Sequence, residues 1–367
     1  MPISAVDAIT PAVEHTRQQL FQPFRLGQWT KLAFVGLLAG ELGSNGCNRS
    51  NFHLPTHPGM VPHTQIPGSS FPGLGSLGLD PALMAALMSA AVAAVLAALA
   101  IGIILMYVGS VMRFVLFDSI IARECHIRWS WSRRVGPGWQ YFVWKVLYAV
   151  VSLAGLAVLI GVPLAFAFAN GWLKQPKEHV APLVVGGVVL FLLFFAWLVA
   201  TAVIFVLTKD FVVPQMALEN VDAFEGWRRL WGMMQAEMGA YVGYIAMKIV
   251  LAIVVGIIIG IAALIVGLFF AIPTVGLSLL AILTGKSAGL TWNVYTITLA
   301  IVVGCILLGI FLYLVSLVSV PAIVFFPAYS IYFFAGRYPR LSAVLYPAAP
   351  AVPAPAGATS GMAPPPL

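Results

Sequence analysis

PLVVGGVVLFLLFFAWLVATAVIFVL, Pro182–Leu207, runs for 26 residues without a charged side chain. As a helix it would be about 39 Å long, enough to cross a hydrocarbon core of about 30 Å. Four more stretches read the same way: 82–112, 146–168, 249–272 and 295–320. The first of these begins well, because Asp80 suits an N-cap and Pro81 a first helical turn. Composition agrees. Of 367 residues, 61% are hydrophobic and only 8% charged, against roughly a quarter charged in soluble domains. The fold class implied is an all-α integral membrane protein.

A sixth segment, LGQWTKLAFVGLLAGELGS (26–44), is weaker. Its apolar run, Leu32 to Gly40, is short and ends at Glu41. It reads as a span of about 18 residues, with Glu41 near its outer end, or as a re-entrant helix. Lysine and arginine orient the chain. Arg113, Arg123, Arg128, Arg133, Arg134 and Lys145 follow span two, and Lys209, Arg228, Arg229 and Lys248 follow span four. With Arg17, Arg25, Lys31, Arg337 and Arg340, 15 basic residues fall on one side. Arg49, Lys174, Lys177 and Lys286 fall on the other. The expectation is six spans of a bacterial inner membrane with both termini cytoplasmic. An N-terminal interfacial segment (1–25) precedes the transmembrane domain (26–341), and a disordered Pro/Ala-rich tail (342–367) follows it. The net charge of +7 is scattered between apolar segments, so nucleic acid is not the expected partner. Membrane lipids are.

The inner ends of the spans resemble one another. MRFVLFDSIIARE (Met112–Glu124), KDFVVPQMALEN (Lys209–Asn220) and AIVFFPAYSIYF (Ala322–Phe333) align Phe114 with Phe211 and Val324. The same register aligns Phe117 with Pro214 and Pro327. SRRVGPGWQYFVWKVL then parallels WRRLWGMMQAEMGAYVGYIAMKIV, each placing a lysine before the next span. The similarity fits either repeated helical hairpins or the common order of apolar, basic and aromatic residues at a membrane edge.

Between spans four and five, Asp222 and Glu225 form a capping-box arrangement. Phe224, Trp227, Trp231, Met234 and Met238 recur at helical spacing. The segment 222–238 therefore reads as an amphipathic helix in the cytoplasmic interface, or as a docking helix for a protein partner.

Chemistry is sparse. Gly285-Lys286-Ser287 lacks the upstream glycine of a phosphate loop, since Leu280 stands there. The cores of spans two to six hold no ionisable residue, which argues against a carrier with a charged midplane site. Lys145 and Lys248 fall at inner ends, where a lysine can snorkel. At the same edge Arg113, Arg123 and Lys209 form a candidate headgroup or anion contact, and Asp118 and Asp210 stand in related places. The loop 45–80 carries Cys47, His53, His57 and His63, whose spacing matches no compact metal module. It reads as an irregular connection, with no metal or other cofactor expected and no catalytic residue assigned.

The stretches LFQPFRLGQWTKLAFVGLLAGELG and TKDFVVPQMALENVDAFEGWRRL, with the two hairpins, resemble poorly characterised bacterial membrane proteins. Those are similar to the membrane domain of some glycerophosphoryl diester phosphodiesterases. The resemblance covers about residues 10 to 340 and implies a six-helix membrane protein. The catalytic domain of those enzymes has no counterpart here, so no activity carries over. The function expected is non-enzymatic: membrane organisation, lipid interaction or complex assembly. The alternatives are a small-molecule or lipid transporter and, third, a lipid-modifying enzyme.

Overall fold

The computed structural model describes residues 4–41, 81–172, 179–287 and 294–347. Its described residues form helices and short turns, with no strand. In chain order the α-helices are α1 (Ile9–Phe21), α2 (Leu26–Leu38), α3 (Pro81–Ala122), α4 (Ile127–Ala169) and α5 (Val180–Leu207). They continue with α6 (Val213–Glu219), α7 (Ala223–Ala236), α8 (Met238–Ser287), α9 (Val294–Val318), α10 (Val320–Ala335) and α11 (Pro339–Leu345). A π-helical turn, Thr208–Val212, joins α5 to α6. Helices α3, α4, α5, α8 and α9 contain the five segments long and apolar enough to cross a membrane.

Packing is concentrated at one end. The largest fully buried side chains include Phe114, Phe211, Tyr241, Tyr244, Phe326, Tyr329, Phe333 and Phe334. All lie at or beyond the inner ends of the apolar runs. In the most apolar 18 residues of α3, α4, α5 and α8, no residue is buried. Leu99, Val158, Phe191 and Ile258 are more than half exposed. Such side chains are largely uncovered by the described residues, and hydrocarbon would solvate them at no cost. The molecule is a packed hub from which five apolar arms extend.

Within the hub, α10 packs against α1, α2 and the π turn, and α7 lies on the π turn and α6. Among the arms, α4 packs between α3 and α5, and α9 packs against α8. Helix α2 fills the space between α3, α9 and α10. Its fit depends on two glycines. A Cβ at Gly109 would lie 2.6 Å from the Leu38 carbonyl oxygen, and one at Gly36 would lie 2.5 Å from Ile323.

The helical part of the weak first segment ends at Leu38 after 13 residues, about 20 Å. That is shorter than the bilayer core. Its first turn lies beside Arg123, where the Gln28 side-chain amide donates to the Arg123 carbonyl at 2.8 Å. Its last turn reaches Gly109. The chain then turns at Gly40, with φ +78°, and buries Glu41 against Arg113 and Lys209. This corrects the outer placement of Glu41: a carboxylate in contact with two cations lies on their side of the membrane.

Other boundaries move less. Helix α11 runs to Leu345, so the tail begins later than residue 342. The amphipathic segment is helical over Ala223–Ala236, and the last arm but one continues well past residue 272 to Ser287. The loop 45–80, with Cys47, His53, His57 and His63, lies outside the described residues.

Candidate functional site

The charged residues that bound the apolar runs form a layer between hub and arms. Arg113 follows the run of α3, Lys145 precedes that of α4, Lys209 follows that of α5, and Lys248 precedes that of α8. Two carboxylates meet them. Glu41, fully buried, pairs with the Arg113 guanidinium and with the Lys209 ammonium, the latter at 2.5 Å. Asp210, also buried, pairs with Lys248 and accepts a hydrogen bond from the Tyr244 hydroxyl at 2.9 Å.

The π turn makes this arrangement possible. Neighbouring residues of an α-helix point about 100° apart, and the wider π turn brings successive side chains closer in direction. Lys209 and Asp210 are adjacent in sequence, yet both are buried. They reach different partners, Glu41 in one case and Lys248 in the other. The turn is held from below by α7. The Trp227 indole N–H donates to Thr208 Oγ1 at 3.0 Å, and Gly226 lets α7 approach closely, because a Cβ there would lie 2.8 Å from Val212.

A small cavity of about 20 Å³, room for about one water molecule, lies beside this layer. Arg113, Lys209, Asp210 and Ser330 line it, together with Phe117, Pro214 and Pro327. Those last three are the residues aligned by the sequence similarity of the inner ends. Phe114, Phe211 and Val324, aligned in the same register, are all fully buried. Arg123 and Asn220 each stand nine residues after the aligned phenylalanine. Both adopt the left-handed conformation, with φ +57° and +56°, which is uncommon outside glycine.

A second set of ion pairs ties the inner ends together. Arg134 makes a bidentate pair with Asp118 at 2.6 and 2.8 Å and also donates to the Ala217 carbonyl at 2.6 Å. Glu219 receives Arg229 at 2.7 Å, Arg340 at 3.3 Å and the Tyr338 hydroxyl. Arg337 pairs with Glu237 at 2.8 Å and stacks 4.1 Å from the Phe333 ring centroid. Asp118 thus belongs to this lower set and Asp210 to the charged layer. Their places are not equivalent.

Of the three residues read as an anion contact, the structure brings Arg113 and Lys209 together and puts Arg123 elsewhere. Arg123 lies at the end of α3 beside a polar recess of about 390 Å³ lined also by Gln18, Gln22, Arg25, Gln28 and Glu124. There it donates to Gln18 at 2.8 Å. Nearby, His15 is buried, with Nε2 3.0 Å from the Ile120 carbonyl and Nδ1 3.1 Å from the Tyr332 hydroxyl. The carbonyl can only accept, so Nε2 carries the proton and Tyr332 donates to Nδ1. Burial, with Arg123 nearby, pushes the His15 pKa below 6.5.

Lys248 was read as snorkelling. It is instead half-buried and paired with Asp210, and its ammonium lies 5.8 Å from the Tyr244 ring centroid. The signal for it was present, since both hairpins carry a lysine directly before their second span. No group of three His, Cys, Asp or Glu side chains suited to a metal ion occurs among the described residues.

Helix α7 turns its faces differently from expectation. Ala223, Gly226, Leu230 and Met234 are buried, while Phe224 and Trp231 are 62% and 52% exposed. The small residues face the hub, where α7 must come close. Two large aromatics one heptad apart face outward.

Helical over most of its described residues, with no strand among them and five helices able to span, the chain is an α-helical membrane protein. Its residues 3–344 match the model of a family of unknown function (DUF7544), and the chain belongs to that family. No curated protein and no solved structure matches the chain. The family carries no link to phosphodiesterase membrane domains, so that resemblance stays an expectation.

Proposed function

We propose that the chain is a non-enzymatic, multi-pass protein of a bacterial inner membrane that organises lipid or a partner complex from a cytoplasmic hub. One observation carries this reading. The buried ionised side chains of the described residues lie in the hub and its boundary layer, while the spans turn exposed apolar faces outward. Such spans suit anchorage in lipid. Arg113, Lys209 and Lys248 of the charged layer are held in ion pairs, and the neighbouring cavity is the size of a water molecule. Neither feature supports a conduit or a reaction centre.

In this reading α3, α4, α5, α8 and α9 cross, the chain passes once more between the start of α2 and the start of α3, as two ends on one side require, and the hub is cytoplasmic because most lysine and arginine lies there. Both described ends are on the hub side: the Tyr329 hydroxyl donates to the Ala5 carbonyl at 3.0 Å, and α11 packs on α10. The similar inner ends support an origin in repeated helical hairpins. The outward Phe224 and Trp231 place α7 at headgroup depth, where aromatic rings are favoured; a docked protein is the alternative for the same face.

The purified protein in liposomes tests the reading. Vesicles with and without protein should release carboxyfluorescein, potassium and phosphate at equal rates. A protein-dependent flux of any of them overturns the scaffold in favour of a transporter.

A further inference from the structure

We propose that the charged layer binds the phosphate of an anionic phospholipid of the hub-side leaflet, with Lys145 as its point of entry. The inference deepens the lipid-organising reading and rests on the hub lying at the membrane edge.

The argument begins with charge. The layer holds four cations, Arg113, Lys145, Lys209 and Lys248, and two carboxylates, Glu41 and Asp210. The carboxylates are committed to Arg113 and Lys209 in one case and to Lys248 in the other. Lys145 has no carboxylate partner among the described residues. Its ammonium lies over the Tyr141 ring, 5.4 Å from the centroid. Arg113 and Lys209 are close enough for their charges to act on it. A cation excess in a low-dielectric layer is costly unless an anion joins it.

Position supplies the anion. Each of the four cations stands just outside an apolar run, at the depth where lipid phosphates lie. Arg113 and Lys209 are buried, and Lys248 is held against Asp210. Lys145 is partly exposed and holds no carboxylate among the described residues, so a headgroup can reach it from the bilayer without dismantling the hub. The arms above carry exposed Val146, Val150 and Val151 on α4, an apolar surface for the acyl chains of the same molecule. A soluble anion would gain the charge but not this second contact.

Full-length protein in a neutral detergent, followed by native mass spectrometry, tests the proposal. Dioleoylphosphatidylglycerol should remain bound at concentrations where dioleoylphosphatidylcholine does not. The Lys145→Gln variant should bind the anionic lipid about fivefold more weakly, the effect expected of one basic residue near a membrane surface. Lys145→Arg should restore it. Because Lys145 holds no carboxylate, the Gln variant should keep the wild-type melting temperature. Equal binding of the two lipids by the wild-type protein overturns the proposal without any variant. So does unchanged binding in Lys145→Gln. Displacement of the lipid by millimolar inorganic phosphate overturns the lipid as the source of the anion. The vesicle flux result is independent of all three outcomes.

Discussion

The hub and the arms are made of similar residues and held by different forces. Phe211 in the hub is fully buried and packs against Tyr241, Tyr244, Phe333 and Phe334. Phe191 in α5 is 65% exposed. Both are phenylalanines of a continuous apolar helix, 20 residues apart. In the arms, lipid is as apolar as the side chain, so helices gain little by closing on one another. At the membrane edge that indifference ends. Water, headgroups and free helix termini must be dealt with, and the chain does so by packing aromatics and pairing charges.

Sidedness is the all-or-none test of this division. Engineered cysteines at Arg128 in the hub and Asn170 at the far end of α4, both exposed, should label from opposite faces with an impermeant thiol reagent, the native cysteines having been replaced. Labelling of both from the same face would break the two-region picture. Native Cys125 cannot serve, because it is buried and its silence would carry no information about sidedness.

Next in size is Glu41. Replacing it with Gln leaves Arg113 and Lys209 buried without their carboxylate, and loss of one partner of a buried pair costs about 3–5 kcal/mol. The melting temperature in detergent should fall further than for any single substitution in an arm. A wild-type melt for Glu41→Gln would show that the charged layer does not hold α2. Asp118→Asn weakens the bidentate pair to Arg134, a partly buried contact, by about 1.5–3 kcal/mol. Its melt should fall between those of Glu41→Gln and the arm variants.

The pH dependence assigned to His15 is smaller. Its pKa is lowered in the folded protein, so above pH 6.5 it is neutral whether folded or unfolded. Below 6.5 the unfolded chain takes up a proton that the folded site, facing Tyr332, the Ile120 carbonyl, Gln19 and Arg123, resists. Stability therefore falls as pH drops below 6.5. Between pH 7.5 and 5.5 the wild-type melt should fall more than that of His15→Gln, which cannot titrate. Parallel behaviour of the two would remove His15 as the cause. Smallest of all, Ile258→Leu on the exposed face of α8 should change the melt by less than about 0.5 kcal/mol. A large effect there would mean that this face of α8 packs against protein rather than lipid.

Much of the layout was legible in the sequence. Uninterrupted apolar runs gave the five long helices, and the Asp222–Glu225 spacing gave the start of α7, where Asp222 accepts the Glu225 amide at 2.9 Å. The register that aligned Phe114, Phe211 and Val324 picked out three buried positions, and its partners Phe117, Pro214 and Pro327 line one cavity. The candidate site was half legible. Arg113 and Lys209 sit at span ends, so their depth followed from composition. Arg123 sits only ten residues beyond Arg113, but a left-handed residue at the helix end sends it to α1 and α2 instead.

The sequence alone determined that this chain lives in a membrane, because apolar length and charge depletion are one-dimensional quantities that a bilayer reads directly. It also determined the depth of the boundary cations, which the ends of the apolar runs define. Only the tertiary structure decided which charges meet. Glu41 is separated from Arg113 by 72 residues and from Lys209 by 168, and their contact depends on a short α2 seated against Gly109 and on a π turn that aims Lys209 inward. The outward turn of Phe224 and Trp231 was decided the same way. Periodicity lists the residues of a helix face, but Gly226 against Val212 sets which face meets the hub.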